Sequence, residues 1–143
     1  MILQRTVGAM AVAVAMCGVA RAAEPAPNPH QEHMMQCAKA CSDCQRECDM
    51  CAKHCINQVA AGKKDHVTTV HTCLDCADVC AAAARIVSRH GPMSPTICTA
   101  CANACDMCAK ACDKFPDDAH MKKCAEECRK CATACREMLK HVA

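Results

Sequence analysis

The chemistry of this sequence rests on where its cysteines stand. They occur at Cys37, Cys41, Cys44, Cys48, Cys51 and Cys55, at Cys73, Cys76 and Cys80, at Cys98, Cys101, Cys105, Cys108 and Cys112, and at Cys124, Cys128, Cys131 and Cys135. Each run advances by threes and fours, the a and d positions of a heptad, so the thiols of a run share one narrow stripe of a helix. Packing, disulfide bonding and metal ligation are the three uses open to such stripes. Packing alone is a poor account, because Leu or Ile would fill a core better than rows of small thiols. Disulfides along a stripe are opposed by geometry: Cβ atoms at i and i+4 lie roughly 5–6 Å apart, whereas a disulfide needs about 3.5–4.5 Å. Cross-helix bridges remain open to the metal-free chain. An ion held between two sulfurs suits the wider gap.

The choice of metal follows from the ligands and their charge. Structural zinc uses closed tetrahedral quartets, usually nucleated by a C-x-x-C on a turn, and iron–sulfur clusters are typically held by loop-borne C-x-x-C-x-x-C runs. Continuous helical rows match neither pattern. Cu(I) is soft and low-coordinate and suits both thiolate and thioether; Met34, Met35, Met50, Met93, Met107, Met121 and Met138 accompany the thiols. If every thiolate bridges two Cu(I) ions, loading approaches about one ion per thiol, on the order of 18 per chain. Each cation then cancels one thiolate, a neutrality that a dry core tolerates and that zinc tetrathiolates would not provide. Uptake releases protons and is expected to weaken in acid. Iron–sulfur and zinc, metallothionein-like, binding stand as the alternatives.

Four helices must carry these stripes. Asn28-Pro29-His30-Gln31 has the form of a helix start, with Asn as N-cap and Pro at the first helical position, and Gly62 marks that helix's end. Asp65 is expected to cap a second helix, stopped by Gly91-Pro92. Ser94-Pro95 opens a third, Lys114-Phe115-Pro116 closes it, and Asp117 or Asp118 starts a fourth running to about His141. Links this short make sequential helices antiparallel neighbours, which predicts an all-α, up-down-up-down four-helix bundle with a Cys-lined core over residues 29–143. Lys39, Asp43, Arg46, Glu47 and Lys53, with Lys122, Glu126, Arg129, Lys130 and Glu137, read as its solvated exterior. Residues 48–55 and 105–112 differ only where His54 becomes Ala111, and the C-x-x-C-x-x-x-C run of 73–80 recurs at 128–135. The chain thus reads as a duplicated helical hairpin.

Residues 1–22 read as a signal peptide: Arg5, an apolar stretch from Val7 to Ala20, and Ala20-Arg21-Ala22 as an A-x-A cleavage site. The stretch is too short for a spanning helix, so no membrane association is expected after cleavage. Cys17 would be lost with it, and residues 23–28 form a linker. These features predict an exported, periplasmic protein. The other 18 of the 19 cysteines stay in the mature chain. A net charge of +2, no Trp, no Tyr and a single Phe offer nucleic acid neither a basic field nor stacking platforms. No nucleophile, base and orienting group come together in the sequence, so no enzymatic activity is expected.

The run Cys37-Ala-Lys-Ala-Cys41-Ser-Asp-Cys44-Gln-Arg-Glu-Cys48 and the tail Phe115-Pro-Asp-Asp-Ala-His-Met-Lys-Lys-Cys124-Ala-Glu-Glu-Cys128-Arg resemble the bacterial copper storage proteins over roughly residues 30–143. The resemblance implies a homotetramer of bundles, each holding many Cu(I) ions along its axis through C-x-x-x-C and other thiolate pairs, with Met and His at an open end. Exported members of that family are tied to copper supply for methane oxidation. Here no twin-arginine pair precedes the apolar stretch, and 18 thiols match the richer cytosolic members.

Threading the antiparallel order puts Met34, Cys37, His90, Met93, Cys98, Cys135, Met138 and His141 at one end. Cys55, His66, Cys112, Phe115, His120 and Met121 fall at the other. Met34, Met121 and Met138 continue the Cys rows and are candidate ligands beyond the thiols. The Met-richer end is expected to be the mouth, with Phe115 plugging the second. His33, His54, His71 and the other imidazoles are expected on the solvated surface, and Met50 and Met107 to point outward. The donor and recipient of the copper are not legible in the sequence.

Overall fold

The computed structural model describes residues 28–141. The expected signal peptide with Cys17, and the linker up to residue 27, lie outside the described residues. Four helices follow one another: α1 (Pro29–Ala60), α2 (Val67–Ser88), α3 (Ser94–Cys112) and α4 (Ala119–Leu139), with a short 3-10 turn at Lys64–His66. Each packs against its neighbour in sequence, and α1 closes the ring against α4. This is the antiparallel four-helix bundle expected from the link lengths. No helix among the described residues is long and apolar enough to cross a membrane.

Helix ends explain the register. The Asn28 carboxamide accepts from the Gln31 N–H at 2.8 Å, and Asp118 accepts from the N–H groups of His120 and Met121. Both are N-caps of the expected kind. After α1, Gly62 takes φ +92°, and the Gly62 and Lys63 amides bond back to Val59 and Gln58, a Schellman ending that favours glycine. The α2 ending differs from expectation in detail. His90, not Gly91, adopts the left-handed conformation (φ 53°), and the His90 and Gly91 amides bond to Val87 and Ile86. Gly91 serves close approach instead, since a Cβ there would stand 3.2 Å from the Ile86 side chain.

Asp65 does not cap α2. It lies inside the 3-10 turn, and α2 starts from His66 in a helical conformation with no side-chain cap. His66 is buried and its ring stacks on Phe115 at 3.9 Å. That tertiary contact fixes the chain in a turn leading straight into the helix, leaving no extended residue from which a side chain can reach the first amides.

The core is built almost wholly of Cys and Ala, with Met34, Met121, Met138 and Val87 as its bulkier members. All 18 cysteines of the described chain are at most 1% exposed. The charged faces are solvated as expected, with one correction. Glu47 is buried and pairs with Lys123 across the α1–α4 seam at 2.7 Å. Interaxial distance depends on the side chains at the contact, and short Cys and Ala residues bring helices close enough to cover a position flanking the stripe.

Candidate metal centre

The four stripes meet on the bundle axis as a ladder of sulfur. Helices α1 and α3 run in the same direction, and their thiols face each other at a constant offset. Sγ separations are 3.6 Å for Cys37–Cys98, 3.8 Å for Cys41–Cys101, 3.7 Å for Cys44–Cys105, 3.9 Å for Cys48–Cys108 and 3.9 Å for Cys51–Cys112. The antiparallel helices fill the rungs between. Cys135 lies 3.7 Å from both Cys37 and Cys41, and Cys128 lies 3.8 Å from Cys44 and 3.6 Å from Cys48. From α2, Cys73 reaches Cys108 and Cys80 reaches both Cys101 and Cys105, each at 3.6 Å.

None of these thiols is in a disulfide, and the spacings far exceed an S–S bond of about 2.05 Å. Sulfurs at van der Waals distance, in a core whose other members are mostly Ala, form a lattice into which soft cations can be inserted.

Quartets of Sγ atoms lying within 4.8 Å of one another run along the axis, and they share members. Cys44 belongs both to the group with Cys76, Cys80 and Cys105 and to the group with Cys48, Cys76 and Cys128. Cys124 links the Cys48–Cys108–Cys128 group to the one made by Cys51, Cys73 and Cys112. Closed structural zinc sites each own four ligands. Shared thiols suit bridging, and bridging is what low-coordinate Cu(I) does with thiolate.

Protonation favours the same conclusion. Contacts with Cys105 first hold Cys44 below the ordinary thiol range, whereas contacts with Cys101, Cys128, Cys131 and Cys44 push Cys105 above it. One thiolate is stabilised by neighbours that keep their protons, so the array cannot ionise throughout unless cations replace those protons.

The two ends differ in their donors. At the first, Met34 and Met138 are buried beside the last sulfur rung, Cys37, Cys98 and Cys135. Met93 is 60% exposed and His90 lies on the surface of the α2–α3 turn, so neither joins that rung. At the second, the Met121 sulfur accepts from the Cys51 and Cys55 thiols, both at 3.6 Å.

A histidine cluster stands above Met121, contrary to the expected solvated imidazoles. His54 Nε2 lies 2.7 Å from Asp118 Oδ2, and its ring stacks on His120 at 4.7 Å. Buried His66 Nδ1 and His120 Nε2 have no partner. The sequence signal for this cluster is adjacency: His54 precedes the last Cys of α1 and His120 precedes Met121. Phe115 covers His66, as a plug would, beneath a surface hollow of about 640 Å³ that Lys63, Asp65 and Asp117 also line. Met50 and Met107 point outward as expected.

A family profile described as copper storage protein matches residues 30–140. A cytosolic copper storage protein from Streptomyces lividans, solved with five coppers, is 34% identical. The match covers 78% of this chain and 95% of that one, with a TM-score of 0.72. The apo form of copper storage protein 3 from Bacillus subtilis is 32% identical over 73% of this chain and 96% of that one, with a TM-score of 0.64. An uncharacterized cysteine-rich protein of Bacillus subtilis (strain 168) is 31% identical over 109 residues, 76% of this chain and 97% of its own length.

Proposed function

The chain belongs to the copper storage protein family, and from that premise we propose which of its atoms hold the copper, where it works and how it assembles. It stores Cu(I), many ions per chain, through the thiolates lining its bundle core. The observation carrying this is the series of sulfur groups along the axis, four of them linked through shared Cys44, Cys48 and Cys124, made by buried, free thiols. As ligands we assign all 18 buried cysteines, with Met121 capping the Cys51 and Cys55 end and Met34 and Met138 capping the Cys37 end. A thioether binds Cu(I) without releasing a proton and more weakly than thiolate, which suits the last position before solvent. The unpartnered nitrogens of His66 and His120 extend that role at the second end, so copper passes there as well as at the methionine-rich end favoured by the sequence.

The protein acts as a store and not as a catalyst. Export is supported by the A-x-A motif at Ala20-Arg21-Ala22, and assembly as a homotetramer by the family resemblance.

Anaerobic titration of the fully reduced protein with Cu(I) tests the ligand assignment. Saturation at about one ion per thiol, in a colourless product, is the expected result. Saturation with Zn(II) at about one ion per four thiols, leaving Cu(I) unable to displace it, would overturn it.

A further inference from the structure

The end of the bundle where α1 begins and α4 finishes carries a second donor set, chemically unlike the core. His30 and His33 lie one turn apart at the start of α1, and Glu137 and His141 lie one turn apart where α4 closes. The His33 and His141 rings stack with centroids 3.9 Å apart and planes 7° apart. His30 Nδ1 stands 3.0 Å from the His141 carbonyl oxygen. A carbonyl only accepts, so this bond puts the proton on Nδ1 and leaves the Nε2 lone pair of His30 for another partner. Glu137 gives Oε1 to Lys140 at 2.7 Å, leaving Oε2 for another partner. Directly beneath lies a cavity of about 170 Å³ lined by His33, Gln36, Cys37, Glu137 and Met138.

We propose that His30, His33, Glu137 and His141 bind one borderline divalent transition-metal ion, Cu(II) or Zn(II), outside the sulfur ladder. Imidazole and carboxylate suit these ions, whereas Cu(I) prefers the thiolates below. Pairs of ligands one turn apart on adjacent helices are a recurrent way for helical bundles to assemble nitrogen and oxygen donors. Stacked rings hold their nitrogens side by side, so binding turns the His33 and His141 side chains until the nitrogens converge. His30 and His141 are exposed and His33 is half-buried, which leaves those rotations open. Of the two metals, Cu(II) binds the tighter by the Irving–Williams order. No redox step is involved.

The test rests on the copper-storage reading only for its first step, in which the whole reduced protein is filled with Cu(I) under nitrogen. Failure to fill is scored there and condemns that reading alone. The filled protein is then titrated with Zn(II) against a chromogenic chelator, and the zinc-bound form with Cu(II) under electron paramagnetic resonance. One zinc per chain is expected, with affinity falling at least tenfold in His33→Ala/His141→Ala and less in Glu137→Gln. It should not change in His71→Ala, an exposed histidine of α2. Cu(II) should displace the zinc and show nitrogen couplings. Retention of no zinc by the filled protein, or equal affinity in the double variant, overturns the site. Zinc that Cu(II) cannot displace overturns the ranking of the two metals.

Discussion

Cys55 shows what the core asks of a single thiol. Burial first, and then electrostatic repulsion from neighbouring Cys51, push its pKa from the ordinary 9.0 up to about 12. A raised value in the fold means that the neutral thiol contributes stability. That contribution is fully present below the unfolded value and disappears as pH rises through the folded one, so the window runs from about pH 9 to about pH 12. Denaturant midpoints of the reduced, metal-free protein should fall across that window, and the fall should be smaller in Cys55→Ser. A midpoint constant up to pH 12 would contradict this. The position of Cys55 was legible in the sequence because a stripe of threes and fours has one inward direction. The burial of His66 and of His120 Nε2 was not, since it depends on how the α1–α2 and α3–α4 connections meet at one end of the bundle. Glu47 escaped for a related reason: its cover comes from Lys123 on another helix, and no local pattern encodes the closeness of two Cys- and Ala-faced helices.

Among the elements, caps were legible where they act locally and illegible where tertiary contact replaces them. Asn28 and Asp118 each meet the first amides of their own helix, and both were visible as Asn-Pro and Asp-rich starts. Asp65 had the same local form, yet His66, held against Phe115, starts α2 without it. The contrast makes a paired prediction. Asp118→Ala removes the α4 cap and the partner of His54, and should destabilise by about 1–2 kcal/mol. Asp65→Ala removes no cap bond and should fall within about 0.5 kcal/mol of the parent. Equilibrium urea unfolding of the two variants checks the pair, and equal losses would show that Asp65 caps α2 in solution after all. The duplicated hairpin belongs to this scale too. Parallel α1 and α3 carry the near-identical eight-residue runs, and their constant offset produces the evenly spaced rungs from Cys37–Cys98 to Cys51–Cys112.

For the whole molecule, the core raises a question of bulk. Thiols and methyl groups supply most of the buried side chains, with one Phe in the chain and that one only partly buried. Burial worth about 25 cal/mol per Å² accumulates slowly when each side chain is this small. Copper adds both the missing contacts and a bond network joining four helices, so loading should raise the melting temperature. The rise is limited because the 18 core thiols also bind Cu(I) in the unfolded chain, and only the difference between folded and unfolded affinity stabilises. Overlapping sulfur groups spread along the axis make that difference cumulative, since each ion bridges rungs that the previous one has already ordered. Calorimetry at increasing copper ratios should therefore show the melting temperature climbing progressively up to saturation. Proton release on binding makes the climb smaller at pH 5 than at pH 8. A single jump at the first equivalents, with later copper adding nothing, would instead mean that one local cluster holds the bundle together and the rest of the ladder is only cargo space.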